Sequence, residues 1–210
     1  MRPDASFLRF HPTFKQPPGN AHISMSLFVL LTYFVASQAI GAQSPDGPEA
    51  TTVYLTQEQA LQNAFPEADT LWSEIWTPTP SQRKTVERRL GWRLAEPNFE
   101  IFQASLKEQH LGYAVITEQI GLYKPITFMV KVDSTGQNDG VWIMVYRESR
   151  GGEVKRQRFL TQYKGKKPTN PIRLNRDIIG VTGATLSVRA LNGGVKRILT
   201  VIDVAYLQKQ

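Results

Sequence analysis

The clearest alternation of apolar and polar residues lies in the middle of the chain, where it predicts a sheet. Three segments rich in β-branched and aromatic residues read as strands: 112–120, 126–133 and 140–146. Alternate positions of the second segment are apolar and share one face: Ile126, Phe128, Val130 and Val132. The polar residues 134–139 predict a hairpin, with Asp139-Gly140 supplying the left-handed turn position.

Helical spacing before the strands predicts two helices with defined starts. Thr56 followed by Gln59 is a capping box, and apolar residues then recur at helical spacing until Pro66. Thr79 and Gln82 repeat that pattern, with proline at the first helical position and an expected end near Leu90.

A third helix is predicted from about Ser187 to Tyr206. Its apolar stripe comprises Leu191, Val195, Ile198, Leu199 and Ile202. Gly193-Gly194 within it implies close packing against a neighbour, because each glycine costs a helix about 1 kcal/mol relative to alanine. Together the elements predict an α+β domain, an antiparallel sheet with packed helices, over residues 53–210.

The N-terminal part follows a different pattern, typical of export. Residues 1–22 form a basic, proline-rich region, and residues 23–42 carry no charge. A run of that length is typical of a signal peptide or a membrane anchor, and the sequence leaves both open. Residues 43–52 form a polar linker. We therefore expect the domain to lie in the periplasm or at the outer face of the cytoplasmic membrane.

The amino-acid composition limits the kinds of cofactor and metal site that the chain can hold. The 210 residues include no cysteine, which excludes disulfides, cysteine-ligated metals and c-type haem. Residues 147–176 carry ten Lys or Arg against two acids, within a chain of net charge +7. This segment fits either a loop that faces anionic phosphates or an ordinary solvated surface. Nucleic-acid binding is disfavoured because it is poorly compatible with export, and no metal site is predicted.

The hexapeptide Thr182-Gly-Ala-Thr-Leu-Ser187 before the last helix is the main candidate for chemistry. Helix N-termini attract phosphate because their first N–H groups lack partners and the dipole is positive there. Gly183 and Ala184 leave room for a bulky group beside the backbone. An ordinary capped helix remains an alternative, since Thr182, Thr185 and Ser187 can all serve as N-caps.

The order of motifs resembles the FMN-binding domain family. A Glu-x-x-Gly-Gly segment begins at Glu148, a Phe-x-x-Gln-Tyr-x-Gly segment begins at Phe159, and Thr-Gly-Ala-Thr precedes a helix. Members of that family include the C subunit of the sodium-translocating NADH:quinone reductase and the G subunit of Rnf-type electron-transport complexes. The similarity covers roughly residues 105–205.

The resemblance implies a cofactor and its residues. It implies that FMN is bound as a phosphoester on Thr185 and that a separate Mg²⁺-dependent flavin transferase attaches it. Thr182, Gly183 and Ala184 complete the motif. It also implies that Glu148, Gly151 and Gly152 lie against the isoalloxazine. Ser187, which is expected to cap the helix, is the eighth candidate cofactor-binding residue. The family usually has Asp three residues before the motif, and Ile179 stands there in this chain.

The expected function is electron transfer outside the cytoplasm, between membrane redox proteins or subunits of a complex. No substrate pocket or catalytic base is visible in the sequence, so we expect a carrier or subunit more than a free-standing enzyme. The alternative is a flavin-free extracytoplasmic module that uses its basic loop to bind a partner or anionic lipid. The donor, the acceptor, the reduction potential and the oligomeric state are not encoded in any motif.

Overall fold

An antiparallel sheet forms the centre of the fold in the computed structural model, which describes residues 51–208. The strands of this part are β1 (Thr52–Val53), β2 (Thr70–Trp76), β3 (Phe99–Leu106), β4 (Gln109–Ile120), β5 (Pro125–Asp133) and β6 (Asn138–Tyr146). Their spatial order is β1-β6-β5-β4-β3-β2. Every neighbouring pair is antiparallel, so the predicted α+β class with an antiparallel sheet is confirmed.

Helices cover both faces of this sheet. They are α1 (Gln57–Ala64), α2 (Pro80–Leu90), α3 (Gln157–Leu160) and α4 (Thr185–Ile202), and α4 continues into a π-helical turn, Asp203–Leu207. One buried cluster joins α2 and α4 to the sheet face that carries Ile126, Phe128, Val130 and Val132. A second cluster packs α1 against the opposite face, which carries Met129. The alternation predicted for β5 therefore matches its two buried faces.

Local signals placed the first two helices correctly. Thr56 and Thr79 each accept a hydrogen bond from the residue three positions on, and both capping boxes are complete. Helix α2 ends at Leu90, where Gly91 takes a left-handed conformation with φ 82°.

The predicted turn position in the β5–β6 hairpin is wrong. Gly136, with φ 86°, takes the left-handed conformation, while Gly140 lies inside β6. The carboxylate of Asp133 accepts hydrogen bonds from Thr135 and Gln137, which closes the turn before residue 138. Strand β6 can then begin at Asn138, opposite Val132.

The last helix also differs from its prediction. It begins at Thr185, two residues before the expected start, and its α-helical part ends at Ile202. The predicted apolar stripe is fully buried, which confirms its packing on the sheet. Of the adjacent glycines 193 and 194, only Gly194 is needed for close packing of the helix against a neighbour. A Cβ at Gly194 would overlap the Phe128 ring, whereas the nearest atom to a Cβ at Gly193 is 3.9 Å away.

The predicted export segment, residues 23–42, lies outside the described residues, as do the basic region 1–22 and most of the linker. Among residues 51–208, no helix has the length and hydrophobicity needed to cross a bilayer.

Candidate functional site

The N-terminus of α4 carries the Thr-Gly-Ala-Thr motif. Ala184 is the N-cap residue, and no side chain caps the helix. Gly183 takes a left-handed conformation with φ 78°, and open space surrounds the position of its absent Cβ. Thr182 and Thr185 are exposed, and Ala184 is buried. The helix therefore begins at the exposed Thr185, and its first N–H groups receive no acceptor from a side-chain cap.

Ser187 has a different role from the predicted one. It lies inside the first turn of α4 and is 4% exposed, so the prediction that it caps the helix is wrong. Its Oγ is 3.0 Å from the hydroxyl of Tyr146, which also donates to the carbonyl of Arg150 at 2.6 Å. Burial raises the pKa of Tyr146, against the effect of the Ser187 hydrogen bond. This pair ties the end of β6 and the following loop to the helix start.

Gly151 brings that loop into contact with the motif. With φ 82°, it occupies a conformation that favours glycine. A Cβ at this position would lie 2.9 Å from Tyr146 Oη, 3.1 Å from Ser187 Oγ and 3.3 Å from Ala184 Cβ. A side chain would therefore separate the loop from α4. Gly152 begins a short 3₁₀ turn, Gly152–Lys155, that leads away from this contact.

Glu148 anchors the β4–β5 turn. Its carboxylate, 9% exposed, accepts hydrogen bonds from the N–H groups of Tyr123 at 2.7 Å and Lys124 at 3.0 Å. Burial alone would raise the pKa of Glu148, but the backbone donors of Lys124, Tyr123 and Leu122 outweigh it and lower that pKa. Gly121 makes room, since a Cβ there would lie 2.8 Å from the Glu148 carboxylate. The turn thus holds Leu122 and Tyr123 exposed beside an ionised carboxylate.

The segment after Phe159 supports the approach to the motif. Tyr163 is fully buried, burial raises its pKa, and its hydroxyl lies 2.7 Å from the side-chain amide of Asn192 on α4. The amide of Gln162 bonds both backbone groups of Ile179: it accepts from the N–H at 2.7 Å and donates to the carbonyl at 3.2 Å. Gln162 therefore fixes the chain just ahead of Thr182.

These contacts bring some of the predicted residues together. Gly151, Ala184 and Ser187 meet around Tyr146, and Glu148 follows Tyr146 by two residues. Thr182, Gly183 and Thr185 form the exposed edge of the same helix start. Tyr146 was not predicted as a site residue, because its position in a strand gives no sign of a contact with residue 187. Across residues 51–208, no group of three or more His, Asp or Glu side chains could hold a metal ion.

The comparisons with known proteins give a family match over this part of the chain. Residues 121–200 match the family described as the FMN-binding domain, and this segment includes all eight predicted cofactor residues. This segment is therefore similar to the FMN-binding domain family.

Two solved structures resemble the chain at low identity. One is the C subunit of the Na⁺-translocating NADH-quinone reductase of Parabacteroides distasonis, with 17% identity over 75% of this chain and 87% of that one, TM-score 0.48. The other is NqrC of Shewanella oneidensis, with 18% identity over 60% of this chain and 64% of that one, TM-score 0.40. No curated protein matches.

Proposed function

We propose that this protein is an extracytoplasmic electron-transfer protein that carries FMN as a phosphoester on Thr185. The observation that carries the proposal is the uncapped start of α4 at an exposed threonine, inside a segment that matches the FMN-binding domain. When bound, FMN would supply the redox chemistry, and the protein would bind and orient it.

The helix start fits a phosphate group. An α-helix leaves its first N–H groups without intrahelical acceptors, and here no side chain takes that place. With 18 residues, α4 is long enough to develop the full dipole, whose positive end lies at Thr185. The open space beside Gly183 lets a bulky ester approach the backbone. Thr185 would hold the phosphate, and the adjacent N–H groups would donate to it.

The competing hydroxyls are less suitable acceptors for the phosphoester. Ser187 is buried and already bonded to Tyr146, so a phosphate there would have to break the contact between β6 and α4. Thr182 is exposed but lies two residues before the N-cap residue Ala184, outside the helix. Of these three hydroxyls, Thr185 alone combines exposure with the first helical position.

Glu148, Gly151 and Gly152 would shape the surface beside the ring. Glu148 holds the β4–β5 turn in place, and its ionised state sets a negative charge close to that turn. Gly151 keeps the following loop against Ala184. These residues orient and shape the site, while the redox partners would be membrane proteins or subunits of a complex. Export through residues 23–42 would place the domain where those partners and the flavin transferase act.

The test is flavin attachment in the full chain, co-expressed with a Mg²⁺-dependent flavin transferase. We expect flavin fluorescence that survives denaturation and a matching increase in intact protein mass. Thr185→Val should abolish both, because it removes the hydroxyl and nearly keeps the shape. The control variants Thr182→Val and Ser187→Ala should lower the yield without abolishing it. An adduct that persists in Thr185→Val would refute the assignment.

Ile179 provides a second test. Its side chain is 77% exposed, so Ile179→Asp changes the surface that a transferase meets without disturbing the core. If wild type stays unmodified while Ile179→Asp becomes modified, this natural protein holds FMN without a covalent bond or not at all. A colourless wild-type protein that also fails to bind added FMN would favour the flavin-free binding module.

A further inference from the structure

A basic cleft is lined by α4, the C-terminal end of α2 and the loop 169–176. Its volume is about 620 Å³, within the size range of small-molecule sites. The cationic side chains that line it are Arg89, Arg173, Arg176, Arg189 and Lys196. No acidic residue lines it, and none of the eight predicted cofactor residues does. The cleft is therefore separate from the candidate flavin site.

The cationic groups of the cleft differ in how they are paired. Arg89 forms an ion pair with Asp203 at 2.5 Å, and the ammonium of Lys196 donates to the carbonyls of Pro168 and Asn170. The guanidinium groups of Arg173, Arg176 and Arg189 form no hydrogen bond or ion pair within residues 51–208. Three guanidinium groups thus line one concave surface without a hydrogen-bond or ion-pair partner among the described residues.

The fold concentrates this charge at some cost. Burial lowers the pKa of Lys196, and the charge of Arg173 lowers it further, against the opposing effect of Asp177. Like charges therefore interact inside the cleft. The loop is also held in a tight conformation: Ile172 and Asn175 have positive φ values of 49° and 60°. Asp177 fixes it by accepting from the N–H groups of Ile172 and Arg173. A positive φ at a β-branched residue such as Ile172 is strained, and backbone strain of this kind clusters at functional sites.

We propose that the basic cleft binds a phosphate-bearing ligand through Arg173, Arg176 and Arg189. Arginine is suited to binding phosphate because the N–H donors of its planar guanidinium group match the phosphate oxygens in pairs. The group also stays positively charged at any pH relevant to proteins. The phosphate could belong to a free phosphate compound or to an anionic lipid headgroup, because both present the same oxygens. The inference does not depend on FMN, and Thr185→Val should leave binding at this cleft unchanged.

The experiment measures inorganic pyrophosphate binding to the full chain by calorimetry at low salt. The triple variant Arg173→Gln, Arg176→Gln, Arg189→Gln should bind at least about tenfold more weakly, since it loses three charge-assisted contacts. All three side chains are exposed, so the fold should persist, and thermal unfolding checks this. The matched control Lys84→Gln, Arg88→Gln, Lys107→Gln removes the same charge from residues outside the cleft. It should weaken binding less than about threefold, as expected for long-range electrostatics alone.

A parallel measurement identifies the source of the phosphate. Vesicles of equal parts phosphatidylcholine and phosphatidylglycerol are compared with vesicles of phosphatidylcholine alone, using the same variants. Extra binding to the anionic vesicles that the cleft variant loses and the control keeps would support a lipid headgroup. Pyrophosphate binding with the same dependence would support a free phosphate compound. If neither probe binds, or if the two triple variants lose affinity equally, the cleft is not a phosphate site.

Discussion

The two adjacent glycines of α4 should respond in opposite ways to the same substitution. In Gly193→Ala the new methyl group meets nothing closer than an oxygen of Gln119 at 3.9 Å. The change should therefore stabilise the protein by roughly 0.5–1 kcal/mol, because alanine favours the helix. In Gly194→Ala the methyl group overlaps the Phe128 ring and lies 3.1 Å from Gln119 Cγ.

The size of the second effect follows from the burial of Phe128. Its ring is fully buried and cannot move aside into solvent. Overpacking of a core typically costs about 1–3 kcal/mol, and the helix-propensity gain offsets about 1 kcal/mol of this. We expect Gly194→Ala to lower the free energy of unfolding by about 1 kcal/mol, so that the stabilities of the two variants differ by about 2 kcal/mol. For a domain of this size that corresponds to roughly 4–8 °C between their unfolding temperatures.

Urea unfolding of both variants, without ligand, measures the difference. A third variant isolates its cause: in a Phe128→Leu background, Gly194→Ala should become markedly less harmful, because the smaller side chain leaves room. The reasoning is refuted if Gly194→Ala stabilises the protein as much as Gly193→Ala does.

Three further substitutions test the contacts of the site and the core. Tyr146→Phe should cost about 1–3 kcal/mol by leaving the buried Ser187 hydroxyl without its partner, measured by urea unfolding, with little added cost from Ser187→Ala on top. Glu148→Gln should lower the free energy of unfolding near neutral pH, because the lowered pKa of Glu148 means that its ionised form stabilises the fold. The loss should shrink as the pH falls below 4.5, the ordinary pKa of this carboxyl group, and unfolding measured across a pH series checks this. Glu96→Ala should cost about 3–5 kcal/mol in the same urea assay, because Arg197, whose side chain is 7% exposed, would lose its ion-pair partner.

The elements that the sequence predicted well are those with local signals. The capping boxes at Thr56 and Thr79 involve residues three positions apart, so they are visible without tertiary information. Strand β3 was missed because both of its faces are buried: Ile101 packs in one cluster and Phe102 in the other. A strand buried on both faces does not alternate. Strand β1 has two residues and exists only through its pairing with β6.

The motif of the candidate site could be predicted from the sequence, but the tertiary contacts around it could not. The Thr-Gly-Ala-Thr sequence and the helix after it could be recognised from spacing alone. The contact between Tyr146 and Ser187 joins residues 41 positions apart, and no spacing rule indicates it. For that reason the sequence assigned Ser187 to the helix cap, whereas tertiary packing uses its hydroxyl to join β6 to α4.

The side chain at position 179 has little bearing on folding. Both backbone groups of Ile179 are bonded to the side chain of Gln162, and this pairing does not depend on the side chain at position 179. That side chain is 77% exposed, so an aspartate there would cost the fold little. Residue 179 is therefore free to vary as far as stability is concerned. Under the proposed function, the attachment of flavin would depend on how a transferase contacts the exposed surface around residue 179, while the start of α4 at Thr185 stays the same.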